Sequence, residues 1–215
     1  MREALAMTRR ISIQFLFLLF VTLMGSSTFV GSAHAEDPKR VIESVANYAI
    51  TNIANGGSWS SRRSAARRIV TSRFDIKGAG RFALGKNWKK ASASEQSAYV
   101  QAFEDTLVER MLDIFEDYSG ETIRVVRATQ DANNGSYYNV ASVVQLNNGS
   151  SIPVDWRLRT RNGRLMAIDV KPKGLSMLQA FRKEYGSVLS RNGGSVTDLV
   201  EQMRDLIARS KNKRS

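Results

Sequence analysis

Between residues 152 and 189 the spacing of apolar side chains changes from every second position to every third or fourth. Ile152, Val154, Trp156 and Leu158 alternate with Pro153, Asp155 and Arg157, the period of a strand with one buried face. Arg161-Asn162-Gly163 supplies residues that tolerate positive φ, so the chain is expected to turn back there. The return strand offers Met166, Ile168 and Val170 to one face and is stopped by Pro172 and Gly174. Leu175, Leu178, Phe181, Tyr185 and Leu189 then recur at helical spacing. An apolar sheet face therefore sits directly beside an apolar helix face, and something must fill the space between them.

The same patterning predicts the other elements. A helix from Pro38 carries Val41, Val45, Tyr48, Ala49 and Ile53 on one stripe and stops at Asn55-Gly56-Gly57. A second, over 60–72, buries Ala65, Ala66, Ile69 and Val70, and a short one over 81–88 is stopped by glycine. Ser92-Ala93-Ser94-Glu95 has the arrangement in which serine and glutamate satisfy each other's amides at a helix start. Tyr99, Phe103, Leu107, Met111, Ile114, Phe115 and Tyr118 then repeat along a helix ~36 Å long, enough to floor a whole sheet. Strands are expected over 122–129, 137–146, 152–160 and 164–171, with asparagine-glycine signals in the three links. Links this short force neighbours to pair antiparallel as a meander. Their apolar face takes Val126 or Val125, Val140, Val144, Val154, Trp156, Leu158, Ile168 and Val170. After Asn192-Gly193-Gly194 a last helix runs through Leu199, Met203, Leu206 and Ile207. Helices first and a sheet second argue for α+β: N-terminal helices and a long helix packed on a curved, mainly antiparallel four-stranded (or slightly larger) sheet, followed by C-terminal helices.

Composition narrows the chemistry. Arg2, Arg9 and Arg10 precede an apolar run over 11–24, and Ala33-His34-Ala35 matches a small-x-small cleavage site, so residues 1–35 read as an export signal handled by the Sec route. The apolar run is shorter than the ~20 residues a spanning helix needs. No cysteine follows it, which excludes a lipoprotein anchor, and a soluble exported product is expected. With no cysteine in the chain, disulfides, thiol nucleophiles and thiolate metal sites are excluded. The one histidine, His34, falls in the leader, which removes histidine general bases and Ser-His-Asp catalysis from the mature chain. The formal net charge of +12 would suggest nucleic acid in a cytosolic protein, whereas an exported one meets anionic membrane surfaces and acidic partners. Arg62, Arg63, Arg67 and Arg68 form a dense cluster that reads either as a solvated helix face or as a patch for phospholipid headgroups. Residues 36–210 read as one domain and 211–215 as a basic tail that frays.

Together with the leader, RFALGKNW at 81–88, YSGETIRV at 118–125, IPVDWRL at 152–158 and DVKPKGLSMLQAFRKEYGSVL at 169–189 resemble the MlaC family, also called the toluene-tolerance family. The resemblance covers the chain from about Val41 to Ile207, with Ala180 and Phe181 standing where the family often has a polar residue and tyrosine. It implies a periplasmic phospholipid carrier with no catalytic site and no cofactor, its cargo being the phospholipid. It also implies two partners: an inner-membrane ABC transporter carrying an MCE-domain protein, and an outer-membrane lipoprotein that sits with a porin. On this expectation Val140, Val144, Val154, Trp156, Leu158, Ile168 and Val170 line a cavity from the sheet, and Phe103, Leu107, Met111, Leu175, Leu178, Phe181 and Tyr185 close it from helices.

Three alternatives remain open at this level. A related branch of the family is linked to hopanoids. A small isomerase-type enzyme on a curved sheet would use Asp155 and Asp169, carboxylates on neighbouring strands that alternation puts opposite Trp156 and Ile168 and so away from an apolar cavity. A binding protein for a small polar solute would need two lobes and a polar cleft.

Overall fold

Six helices and a four-stranded sheet make up residues 36–214, the part described by the computed structural model. These residues lie in one compact unit. The expected leader, 1–35, lies outside the described residues.

Each helix starts where a side chain can accept an otherwise orphaned amide. Asp37 caps α1 (Pro38–Ala49), which widens into a turn over Ile50–Ala54, and Ser58 caps α2 (Trp59–Arg73). Asp75 caps α3 (Ile76–Leu84). This helix begins earlier than the pattern over 81–88 suggests and ends earlier too, because Gly85 takes a φ of 61° and the chain tightens into a single turn over Gly85–Lys89. Ser92 and Glu95 form the full reciprocal cap of α4 (Ala93–Glu116), 24 residues long. Ser176 caps α5 (Met177–Arg191) and Ser195 caps α6 (Val196–Lys213).

Strands β1 (Thr122–Gln130), β2 (Tyr137–Gln145), β3 (Ser151–Arg161) and β4 (Arg164–Pro172) form an antiparallel meander in the order β1-β2-β3-β4. The tightest link is Asn162-Gly163, with φ of 49° and 74°, a two-residue turn whose twist matches the strands it joins. Phe74 adds a short parallel bridge to Ala167 on β4, so the joint between α2 and α3 is stitched to the sheet edge. Asp75, buried, holds that joint: its carboxylate accepts from Arg159 and Arg161 and from the Gly78 amide.

Two bulges reset the alternation. In β1 the register with β2 shifts between Val125 and Arg127, so Val125 is buried and Val126 is 48% exposed. In β4 the register with β3 passes from Trp156 opposite Val170 to Leu158 opposite Ala167. The face expected to carry Met166, Ile168 and Val170 therefore buries Leu165 and Ala167 first, and changes phase at Ile168.

The basic segments also differ from expectation. Where a basic tail was expected from residue 211, α6 continues to Lys213, and Arg214 is buried. Its guanidinium donates to Glu109, Asp113 and Glu116 and lies 5.4 Å from the Trp59 ring centroid. The arginine cluster on α2 turns inward as well. Arg63 donates to Glu109 at 2.7 Å, and Arg67 to Glu104 and Asp105 at 2.6 and 2.5 Å. Arg62 bonds the Gly56 and Gly57 carbonyls and covers Trp59, while Arg68 lies 5.9 Å from the Tyr48 ring centroid. Of these four side chains only Arg68 is exposed, so the cluster as a whole is neither a solvated face nor an open headgroup patch. Arg63 and Arg67 zip α2, and Arg214 zips α6, onto the acidic side of α4.

The apolar interior divides into three clusters. One joins α3, the first half of α4, α5 and α6 around Tyr99, Phe103, Tyr185 and Leu199. A second joins α1, the turn after it, α2 and the second half of α4 around Ile53, Val70, Val108 and Leu112. The third joins the start of α1 to the sheet through Val41, Ile42, Val140, Leu158 and Leu165. A domain of this size usually has one contiguous core. Here the space between the clusters is not filled by side chains.

Candidate functional site

That space is a cavity of about 690 Å³. Its position follows from how the sheet is covered. At the end formed by the middle of β2 and the later part of β3, α1 lays Val41 and Ile42 against Val140, Leu158, Leu165 and Ala167 and seals the face. At the opposite end the apolar residues continue in the same alternation, with Ile123, Val144, Ile152, Val154 and Trp156 presenting side chains to open space. Helix α4 forms the facing wall through Phe103, Leu107, Met111, Ile114 and Phe115. Helix α5 contributes Met177, Leu178 and Phe181, and α1, the turn after it and α2 close the interior with Ala49, Ile50, Ile69 and Val70.

Lining residues grade from buried to exposed. Ile69, Val70 and Phe103 are inaccessible to solvent, whereas Ile114 is 66% exposed and Asp117 and Thr122 are exposed. The cavity is therefore deep against α2 and opens toward the end of α4 and the start of β1. Four charged side chains border it, Arg110, Asp117, Glu121 and Asp169. Glu121 accepts from the Ser119 amide and hydroxyl, and hydrogen bonds to backbone amides and the Ser119 hydroxyl hold its carboxyl below the usual range. Asp169 accepts from the amides of Val170 and of Leu178 in the first turn of α5.

One polar group sits within the apolar sheet wall. Ser142, between Val140 and Val144 on the same face, is buried, donates to the Val154 carbonyl at 2.8 Å and accepts from the Trp156 indole N–H at 3.0 Å. The indole is thus satisfied within the sheet, and the ring can face the cavity without an unmet donor. The serine in this alternation signals that role, although only the register shows its partner.

Of the residues expected to line the cavity, Phe103, Leu107, Met111, Val144, Val154, Trp156, Ile168, Val170, Leu178 and Phe181 border it. Four do not. Val140 and Leu158 lie in the solid core under α1, and Tyr185 packs edge-on against Tyr99 and Phe103 with its hydroxyl buried. Burial is the main reason the Tyr185 and Tyr99 hydroxyls are pushed above the ordinary tyrosine range. Leu175 is 74% exposed in the link before α5. Residues 45–50, 69–74 and 114–123 supply walls that strand and helix periodicity had assigned to core or to loop.

The carboxylates considered for catalysis are not brought together in an apolar pocket. Asp155 is exposed on the outer face opposite Lys171, and Asp169, opposite Arg157, borders the cavity where its carboxylate accepts from the Leu178 amide. Among the described residues no group of three or more His, Cys, Asp or Glu side chains is placed to hold a metal ion, and no helix is long and apolar enough to cross a membrane. What this arrangement can do chemically is bury a long apolar molecule and leave its polar end at the opening.

Comparison with known proteins bears on what that molecule is. The family model described as MlaC protein matches residues 42–205. A relative in Haemophilus influenzae, the intermembrane phospholipid transport system binding protein MlaC, is 21% identical over 145 residues. The match spans 66% of this chain and 66% of that protein, just under two thirds of its length. Among solved structures, the phospholipid-binding protein from Ralstonia solanacearum in complex with a phospholipid superposes with a TM-score of 0.68 at 19% identity, covering 82% of this chain and 99% of that one. At that identity the likeness establishes the shared α+β fold.

Proposed function

The chain belongs to the MlaC family, and from that premise we propose that it is a periplasmic phospholipid carrier working between an inner-membrane and an outer-membrane complex. The observation that carries this proposal is the cavity: about 690 Å³, walled by aliphatic and aromatic side chains and open at one end. A lipid with two long chains has about 30 methylenes, worth ~24 kcal/mol of burial at ~0.8 kcal/mol each. The glycerol and headgroup then stand at the opening. Ten of the residues picked from the sequence are proposed as tail contacts: Phe103, Leu107, Met111, Val144, Val154, Trp156, Ile168, Val170, Leu178 and Phe181.

No catalytic step is required of such a protein, because burial of the tails is the whole task. The same burial opposes release into water, so handover takes place while the carrier is docked. The proposed docking partners are an inner-membrane ABC transporter bearing an MCE-domain protein and an outer-membrane lipoprotein–porin complex. The names of the relative and of the structural neighbour, each connected to phospholipid, support the choice of cargo. Purification without detergent, organic extraction and mass spectrometry of the extract test it. A stoichiometric diacyl phospholipid is expected. A hopanoid in its place would change the cargo, and a protein that emerges empty and cannot be loaded would overturn the carrier.

A further inference from the structure

The cavity-facing stripe of α4 runs Phe103, Leu107, Met111, Ile114, and Arg110 lies within it, three residues after Leu107 and four before Ile114. Helical periodicity would place an apolar residue there. Arg110 borders the cavity, is exposed, and makes no hydrogen bond or ion pair with any described residue. Its neighbours on the polar side of the same helix behave oppositely: Glu104, Asp105 and Glu109 are each held by an arginine. Of the other charged groups at the cavity's border, Glu121 and Asp169 are occupied by local amides, and Asp117 stands ~10 Å further along the helix axis toward solvent.

A guanidinium on a long apolar stem suits one particular ligand geometry. The stem can lie along the apolar wall while the head reaches the opening, where the planar fork can donate two parallel hydrogen bonds to a phosphate. Tails filling the cavity deliver their phosphate to the opening. We infer that Arg110 binds the phosphate of the cargo lipid and makes the cavity select phospholipids over neutral lipids with the same tails. This rests on the carrier function proposed above. The residue is a specificity determinant, since the tails supply most of the binding.

The test offers the protein, stripped of lipid, equal amounts of dioleoylphosphatidylglycerol and dioleoylglycerol in detergent micelles, then quantifies both in the recovered protein by mass spectrometry. Wild type should load the phospholipid at least tenfold over the neutral lipid, and Arg110→Gln should lower that ratio by roughly tenfold, with the total load retained. Arg110→Lys should keep part of the preference, because it keeps the charge but not the fork. Since Arg110 has no hydrogen bond or ion pair with a described residue to lose, both variants should melt with wild type. An Arg110→Gln ratio equal to that of wild type would overturn the assignment while leaving the carrier standing. A wild type that loads neither lipid would overturn both.

Discussion

The two sides of α4 meet opposite surroundings. Toward the sheet, Leu107, Met111 and Ile114 border empty space. Toward α2 and α6, Glu104, Asp105, Glu109, Asp113 and Glu116 are met by Arg63, Arg67, Lys213 and Arg214. The difference teaches how a domain of this size keeps a hollow. Side chains around a void lose the dispersion contacts that hold an ordinary core together. The walls must then be fixed from behind, and here that is done by the three separate apolar clusters and the ionic seam. Buried ion pairs seldom add net stability over apolar packing, but they hold a geometry, because removing one partner leaves a charge stranded.

The largest expected effect tests the seam. Glu109 is the buried carboxylate shared by Arg63, Ser210 and Arg214. Glu109→Ala should cost about 3–5 kcal/mol, read as a lowered urea midpoint, by stranding Arg63 and leaving Arg214 with Asp113 and Glu116 alone. If it costs under about 1 kcal/mol, the level expected of surface pairs, the seam does not brace α4.

The next effect separates two residues on one sheet face. Leu158, sealed under α1, should lose about 2–5 kcal/mol of stability on Leu158→Ala. Val144 borders the void, so Val144→Trp should fold with unchanged or slightly higher stability while the recovered lipid load falls. A destabilisation of about 1–3 kcal/mol, the usual cost of overpacking, would show that the space is not free.

The smallest effect is in acid. Burial works against ionisation of Glu36, but the Arg73 guanidinium and the Leu165 amide outweigh it and hold the carboxyl below its usual range. Hydrogen bonds from Lys213 and Arg214 do the same for Glu116. Groups depressed in the folded state contribute stability above their unfolded value, near pH ~4.3, and lose it as pH falls through the folded value. Thermal melts should therefore be flat in this respect above pH ~5 and fall below pH ~4, and Glu36→Gln should shallow that decline.

The elements and their order were legible because local rules govern them. The Ser92 and Glu95 cap, the Asn162-Gly163 turn and the alternation of Ile152, Val154, Trp156 and Leu158 all depend on neighbours within a few residues. The bulges at Val126 and Ile168 were not legible, since an extra residue in one strand is defined only against its partner. Nor was the fate of the basic segments. Arg63, Arg67 and Arg214 look like surface charge until residues about 40 or 100 positions away supply their acids.

By itself the sequence determined an α+β chain with an apolar sheet face opposite an apolar helix face, and a chemistry without cysteine or, apart from His34, histidine. Only the tertiary structure decided which part of that face is core and which is cavity wall. Val140 and Val144 share a strand, a face and a residue type. One is covered by Val41 and Ile42 of α1, and the other looks into the space that no helix fills. Periodicity reports which way a side chain points, but what it meets there depends on segments a hundred residues distant.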